Sequence, residues 1–211
     1  AAPDLEDRLT LRRVPHAAPV SAHGVPPALW NFLHASCRLP ADALEVRPGP
    51  ELPEPARRLL VHDRDMTSTL ADFHGSPLRV EIIQHVQQDE AYLREVFLRT
   101  QTLDQIVEYG VIAIVLEQFT PPQRAAIRGG RAPLGGLLHF YRIPFVSSPI
   151  SFFAVAAPKL AQSRLAGLAH GCCFGRFNQL AKPTGETLAW IMEILPPTPP
   201  RPRPASPPSP S

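Results

Sequence analysis

Alternation of apolar and polar positions dominates the middle and the end of this chain. Leu78, Val80 and Ile82 alternate with charged neighbours, and the runs Tyr92 to Leu98 and Ile106 to Leu116 follow. A period of two is that of a strand, whose successive side chains point to opposite faces. The polar gaps between these runs, Asp89-Glu90 and Gln101 to Gln105, leave no room for a crossover helix. Such short links predict antiparallel hairpins. Ile150 to Ala156, Cys172 to Leu180 and Leu188 to Leu195 read as three further strands.

Helical spacing appears earlier and between the strands. Pro26 and Pro27 precede Ala28 to Ala35, which predicts a helix with proline in its first turn. Met66, Leu70 and Phe73 fall at i, i+4 and i+7; Asp63 or Asp65 can cap this helix, and Gly75 ends it. Pro121 to Arg128 reads as a short helix stopped by Gly129-Gly130, Pro133 to Leu138 as a turn or helix, and Lys159 to Gly167 as a brief helix. Prolines 40, 48, 50, 53 and 55 make residues 40–55 a loop, with the apolar run Leu59-Leu60-Val61 after it. The sum is an α+β single domain, a roughly six-stranded antiparallel sheet with helices over one face, spanning 25–196. Residues 1–24 carry no strong period and read as loosely ordered. Nine of the last sixteen residues are proline, so 197–211 reads as a disordered, extended tail.

Two charges break the alternation. Arg94 shares a strand face with Tyr92, Val96 and Leu98, and Glu193 shares one with Ala189, Ile191 and Leu195. A buried charge is expensive unless it is paired or meets a ligand. One arginine and one carboxylate under a sheet therefore predict a pocket for a small, polar, anionic molecule. The bland alternatives are an arginine that reaches the sheet edge or pairs with Glu81, and a glutamate on an exposed strand end.

The totals narrow the classes. The chain has 211 residues, 44% of them hydrophobic, and a formal charge of +2. That charge is too mild to argue for nucleic acid, and no basic run is interleaved with aromatics. No apolar stretch approaches the ~18 residues of a membrane helix. The N-terminal residues do not have the pattern of a signal peptide. Three cysteines, Cys37, Cys172 and Cys173, argue against a disulfide framework; they read as small buried hydrophobes in a reducing cytoplasm. A Gly-rich phosphate loop, a Cys-x-x-Cys pair, His-Glu-x-x-His and Gly-x-Ser-x-Gly are all missing. No metal or cofactor is expected, and any catalysis would rest on positioning and electrostatics.

The order of segments is nonetheless distinctive. Asp65-Met66-Thr67 opens a helix, Tyr92-Leu93-Arg94-Glu95-Val96 is a strand, Gly110 lies on the next, and Pro133-Leu134-Gly135 follows a helix. Gly175-Arg176 and Glu193, shortly before Pro196, complete the set. From about Arg58 to Pro196 this resembles the chorismate lyase family, which eliminates pyruvate from chorismate to make 4-hydroxybenzoate, a ubiquinone precursor. The resemblance implies a six-stranded antiparallel sheet with helices over a buried pocket and a reaction that needs no cofactor; a monomer is expected. It implies that Arg94 holds the ring carboxylate, that Glu193 assists the leaving ether oxygen, and that Met66 and Leu134 line the ring pocket. The family's second arginine, directly after the glycine matching Gly110, is replaced by Val111. Arg64, Arg142 or Arg176 could substitute for it. Two other functions stay open. One is a non-catalytic small-molecule domain like the effector domains of GntR-type regulators, and the other is a lyase for a different enolpyruvyl or cyclic carboxylate. In each case the partner is a small aromatic or cyclic carboxylate, with neither nucleic acid nor membrane involved.

Overall fold

Period two along the chain becomes seven antiparallel strands in one sheet, in the computed structural model that describes residues 24–40, 42–88, 91–161, 163–167 and 171–197. The strands are β1 (Glu45–Arg47), β2 (Leu78–Gln88), β3 (Ala91–Thr100), β4 (Ile106–Val115), β5 (Val146–Ala156), β6 (Cys172–Ala181) and β7 (Thr187–Leu195). Their spatial order is β1-β5-β6-β7-β4-β3-β2. Two meanders are therefore joined side by side, β2-β3-β4 and β5-β6-β7, and the seam between them is the β4–β7 pair. Its register sets Gly110 opposite Glu193 and Ile112 opposite Ile191.

Five helices flank the sheet: α1 (Pro27–Cys37), α2 (Ala56–Leu60), α3 (Met66–His74), α4 (Pro121–Gly129) and α5 (Leu134–Phe140). The local signals place them. Pro27 opens α1, the Asp65 side chain accepts the Ser68 N–H at 2.8 Å to cap α3, and Thr120 and Gln123 form a capping box on α4. Gly75 and Gly130 end α3 and α4 with φ of 60° and 63°, a left-handed turn that glycine adopts without strain.

Helices cover both faces. Leu29, Phe32, Leu33 and Cys37 of α1 pack on Leu93, Val111, Phe153, Phe177 and Met192. The other face carries two separate apolar clusters. One joins α4 and α5 to Ile112, Ile114, Leu188 and Ile191. The other joins α2 and α3 to Leu78, Leu98 and Leu195. The antiparallel sheet and its covering helices agree with expectation; the opposite placement of α1 adds a second layer, which explains why β4 is buried along almost its whole length.

Three local expectations need correction. The proline-rich loop 40–55 holds the short edge strand β1, paired with β5 through Val46 opposite Phe153. In the stretch Lys159 to Gly167 the described residues form the end of a 3-10 turn over Ala157–Leu160 and then a bend and turns, and its two large apolar residues, Leu160 and Leu165, are five apart and so do not make a helical face. Cys172 is exposed, while Cys37 and Cys173 are buried; burial pushes these two thiols up to about 12 and about 11. Most of the N-terminal segment and of the proline tail lies outside the described residues.

Candidate functional site

Between the two clusters on the α3/α5 face, polar residues interrupt the apolar packing. Strand alternation puts Arg94, Glu108, Glu193, Arg176 and Asn178 on this face together with Val96, Gly110, Ile112 and Ile191. They surround a cavity of about 530 Å³, including its solvent-open mouth. The roof comes from Asp65, Met66 and Thr67 at the start of α3 and from Pro133, Leu134 and Gly135 at the start of α5. All four residues singled out from sequence line it: Arg94, Glu193, Met66 and Leu134.

The register sets the distances within the cavity. Arg94 faces Ile112 and, one strand further, Ile191, whereas Glu193 is two residues along. With strands ~4.8 Å apart and ~3.3 Å per residue, their backbones are separated by roughly 10 Å across the sheet and roughly 7 Å along it. The floor between them is Gly110, Ile112 and Ile191. A Cβ on Gly110 would come within 3.1 Å of the Glu108 carboxyl and 3.2 Å of Val96, so a larger residue would crowd this floor.

Arg94 is 2% exposed and has no carboxylate within ion-pair distance among the described residues. Its NH1 nitrogen donates weakly to the Ile127 carbonyl at 3.5 Å, in the last turn of α4, and its Nε has no hydrogen-bond partner. The C-terminal end of a helix favours a cation, which helps to place the guanidinium. Burial pulls the group down to about 10, with Tyr92 opposing, so it keeps its charge at neutral pH. Glu81, considered as a partner for Arg94, is instead paired with Arg99.

Glu193 is in a different situation. Its Oε2 accepts from the Arg176 Nε at 2.5 Å, and both side chains are buried. Arg176 also donates to the carbonyls of Leu60 (2.8 Å), His62 (3.0 Å) and Arg64 (3.4 Å). This arginine therefore anchors the segment that leads into α3 and orients Glu193. His62, whose carbonyl it holds, is shifted down by burial and by the Arg176 charge.

Val111, at the position where the resemblance led us to expect a second arginine, points to the α1 side and is fully buried there among Leu29 and Met192. A side chain at that position does not enter this cavity. Of the candidate substitutes, Arg64 is exposed and bound to Asp72, Arg142 is exposed after α5, and Arg176 is committed to Glu193. Arg94 is the one cation lining the cavity among the described residues, against three carboxyl groups, Asp65, Glu108 and Glu193.

Asp65 joins the two roof helices. Its Oδ1 caps α3 and its Oδ2 receives a hydrogen bond from His139 Nε2 of α5 at 3.1 Å. Burial would raise this carboxyl, but the Ser68 N–H and His139 outweigh it and hold it below the usual range. Gly135 permits the approach of the helices: a Cβ there would lie 3.0 Å from Asp65 Oδ1.

Sequence reasoning missed Glu108. It shares a face of β4 with Gly110, Ile112 and Ile114, so the same broken alternation that marked Arg94 and Glu193 marks it as well. No three His, Cys, Asp or Glu residues are grouped for a metal ion among the described residues. No described helix is long and apolar enough to cross a membrane.

No protein-family model matches the chain, and no curated protein does. Among solved structures it is similar to PhnF from Mycobacterium smegmatis, at 12% identity over 80% of this chain and 77% of that one, with a TM-score of 0.45. It is also similar to gene product SA0254 from Staphylococcus aureus, at 11% identity over 56% of this chain and 83% of that one, with a TM-score of 0.42. At these identities the likeness concerns the fold alone.

Proposed function

We propose that the cavity binds a small cyclic carboxylic acid whose carboxylate sits on Arg94, and that the protein acts on chorismate as a pyruvate-lyase. The observation that carries the reading is the buried guanidinium without an acidic partner, opening onto an apolar floor. Uncompensated burial of a charge is costly, and a carboxylate matches the planar guanidinium fork in a bidentate manner. Ile112, Ile191, Met66 and Leu134 would sandwich the ring, and Glu193 would face its far end. The elimination breaks one ring carbon–oxygen bond, releases a neighbouring ring hydrogen as a proton and returns a proton to the enolpyruvate, which leaves as pyruvate. Aromatisation drives the step, so orientation and one well-placed acid suffice.

A second reading, binding without turnover, is favoured by the single cation among three carboxyl groups. Chorismate is a dianion, whereas an aromatic hydroxy acid carries one carboxylate. Incubation of the purified protein with chorismate separates the two. Release of 4-hydroxybenzoate and pyruvate in equal amounts, abolished in Arg94→Ala, supports the lyase. Binding of 4-hydroxybenzoate with no release supports binding without turnover. Absence of binding and turnover alike removes both.

A further inference from the structure

We propose that Glu108 stands in the cavity as a neutral acid and supplies the O–H donor for the hydroxyl or ether oxygen at the ligand end remote from Arg94. The inference rests on the reading of Arg94 as the carboxylate clamp and assigns the opposite pole of the same cavity. Glu108 is 4% exposed, and its Oε2 is buried with no hydrogen-bond partner. It lies opposite Leu98 on β3, four residues from Arg94, so the two poles are roughly 13 Å apart along the strand.

The charged groups that face it come from three places in the chain. Glu193 on β7 and Asp65 before α3 are acids, and Arg176 on β6 is already bound to Glu193 and three carbonyls. Arg94 on β3 is at the far pole. No cation is within ion-pair distance of Glu108 among the described residues. A carboxyl group in this position is easier to bury with its proton than without it. Burial and the Glu193 charge push it well above the ordinary carboxylate range; Arg176 opposes and Asp65 adds to the rise. A protonated carboxyl can donate as well as accept, which a carboxylate cannot. Among three acids and one cation, it is the group suited to meet a neutral oxygen.

Two measurements test this. The first is the infrared difference spectrum of unliganded wild type against Glu108→Gln at neutral pH. A protonated-carboxyl carbonyl band in the wild type that is missing from the variant is expected; its absence from the wild type overturns the proposal. The second is calorimetric titration with 4-hydroxybenzoate and benzoate. The wild type is expected to prefer the hydroxy acid about tenfold, the worth of one good hydrogen bond. Glu108→Gln, which keeps an N–H donor, should retain the preference, and Glu108→Leu should lose it. A Leu variant that still discriminates about tenfold overturns the proposal. If the wild type binds neither acid while the carboxyl band is present, Glu108 is neutral as inferred and it is the Arg94 reading that fails.

Discussion

Arg94 and Arg176 share one face of the sheet and are both buried, yet their surroundings assign them different work. Arg176 has a carboxylate and three carbonyls; Arg94 has one weak carbonyl contact. Removing one partner of a buried ion pair costs about 3–5 kcal/mol. Arg176→Ala should therefore lower unfolding stability in urea by about that amount. Arg94→Ala should cost far less, because no carboxylate is stranded, while weakening the binding of a benzoate-type acid about 100-fold, as expected for a lost charge-assisted pair. Equal destabilisation by both would mean that Arg94 is structural. At this scale the sequence was informative because a charge in an apolar alternation is conspicuous. What it could not show is pairing. Whether Glu193 faces Arg94 or Arg176 depends on strand order, and the same missing information left Val111 open as a lost ligand contact when it belongs to the α1 core.

Elements were legible where period and caps agreed. The strands and α3, with its Asp65 cap and terminal Gly75, follow from the pattern. The three-residue β1 is too short to show a period, and its partner β5 lies about a hundred residues away. The pairing of helices was also invisible, since Asp65 and His139 are 74 positions apart. That contact makes the roof of the cavity a two-helix unit. Asp65→Ala removes the cap of α3 and the tie to α5, and should cost about 1 kcal/mol or somewhat more at neutral pH. The carboxyl is held below its ordinary value, so its contribution is full above the unfolded value near ~4 and fades as pH falls through the folded one. Wild type and variant should thus converge in denaturation midpoints measured at progressively lower pH below ~4. A constant gap would place the effect in the backbone and not in the charge.

The whole molecule is two meanders docked along β4 and β7, with α1 across the back of both. Leu33 of α1 is fully buried in the cluster that contains Leu93 of β3, Met192 of β7 and Phe177 of β6. Leu33→Ala should destabilise the protein by about 2–5 kcal/mol, read from thermal or denaturant unfolding, because it opens a cavity at the back of the seam. A loss below ~1 kcal/mol would indicate that α1 is peripheral to the core. The seam also divides the proposed grip. Arg94 and Glu108 are contributed by the first meander, and Glu193 and its Arg176 partner by the second. A molecule lodged between them touches both halves at once and acts as a clasp. Occupancy then resists the separation of the halves in proportion to how far its concentration exceeds its dissociation constant, about 2.7 kcal/mol at a hundredfold excess. Neither half alone could enclose its guest.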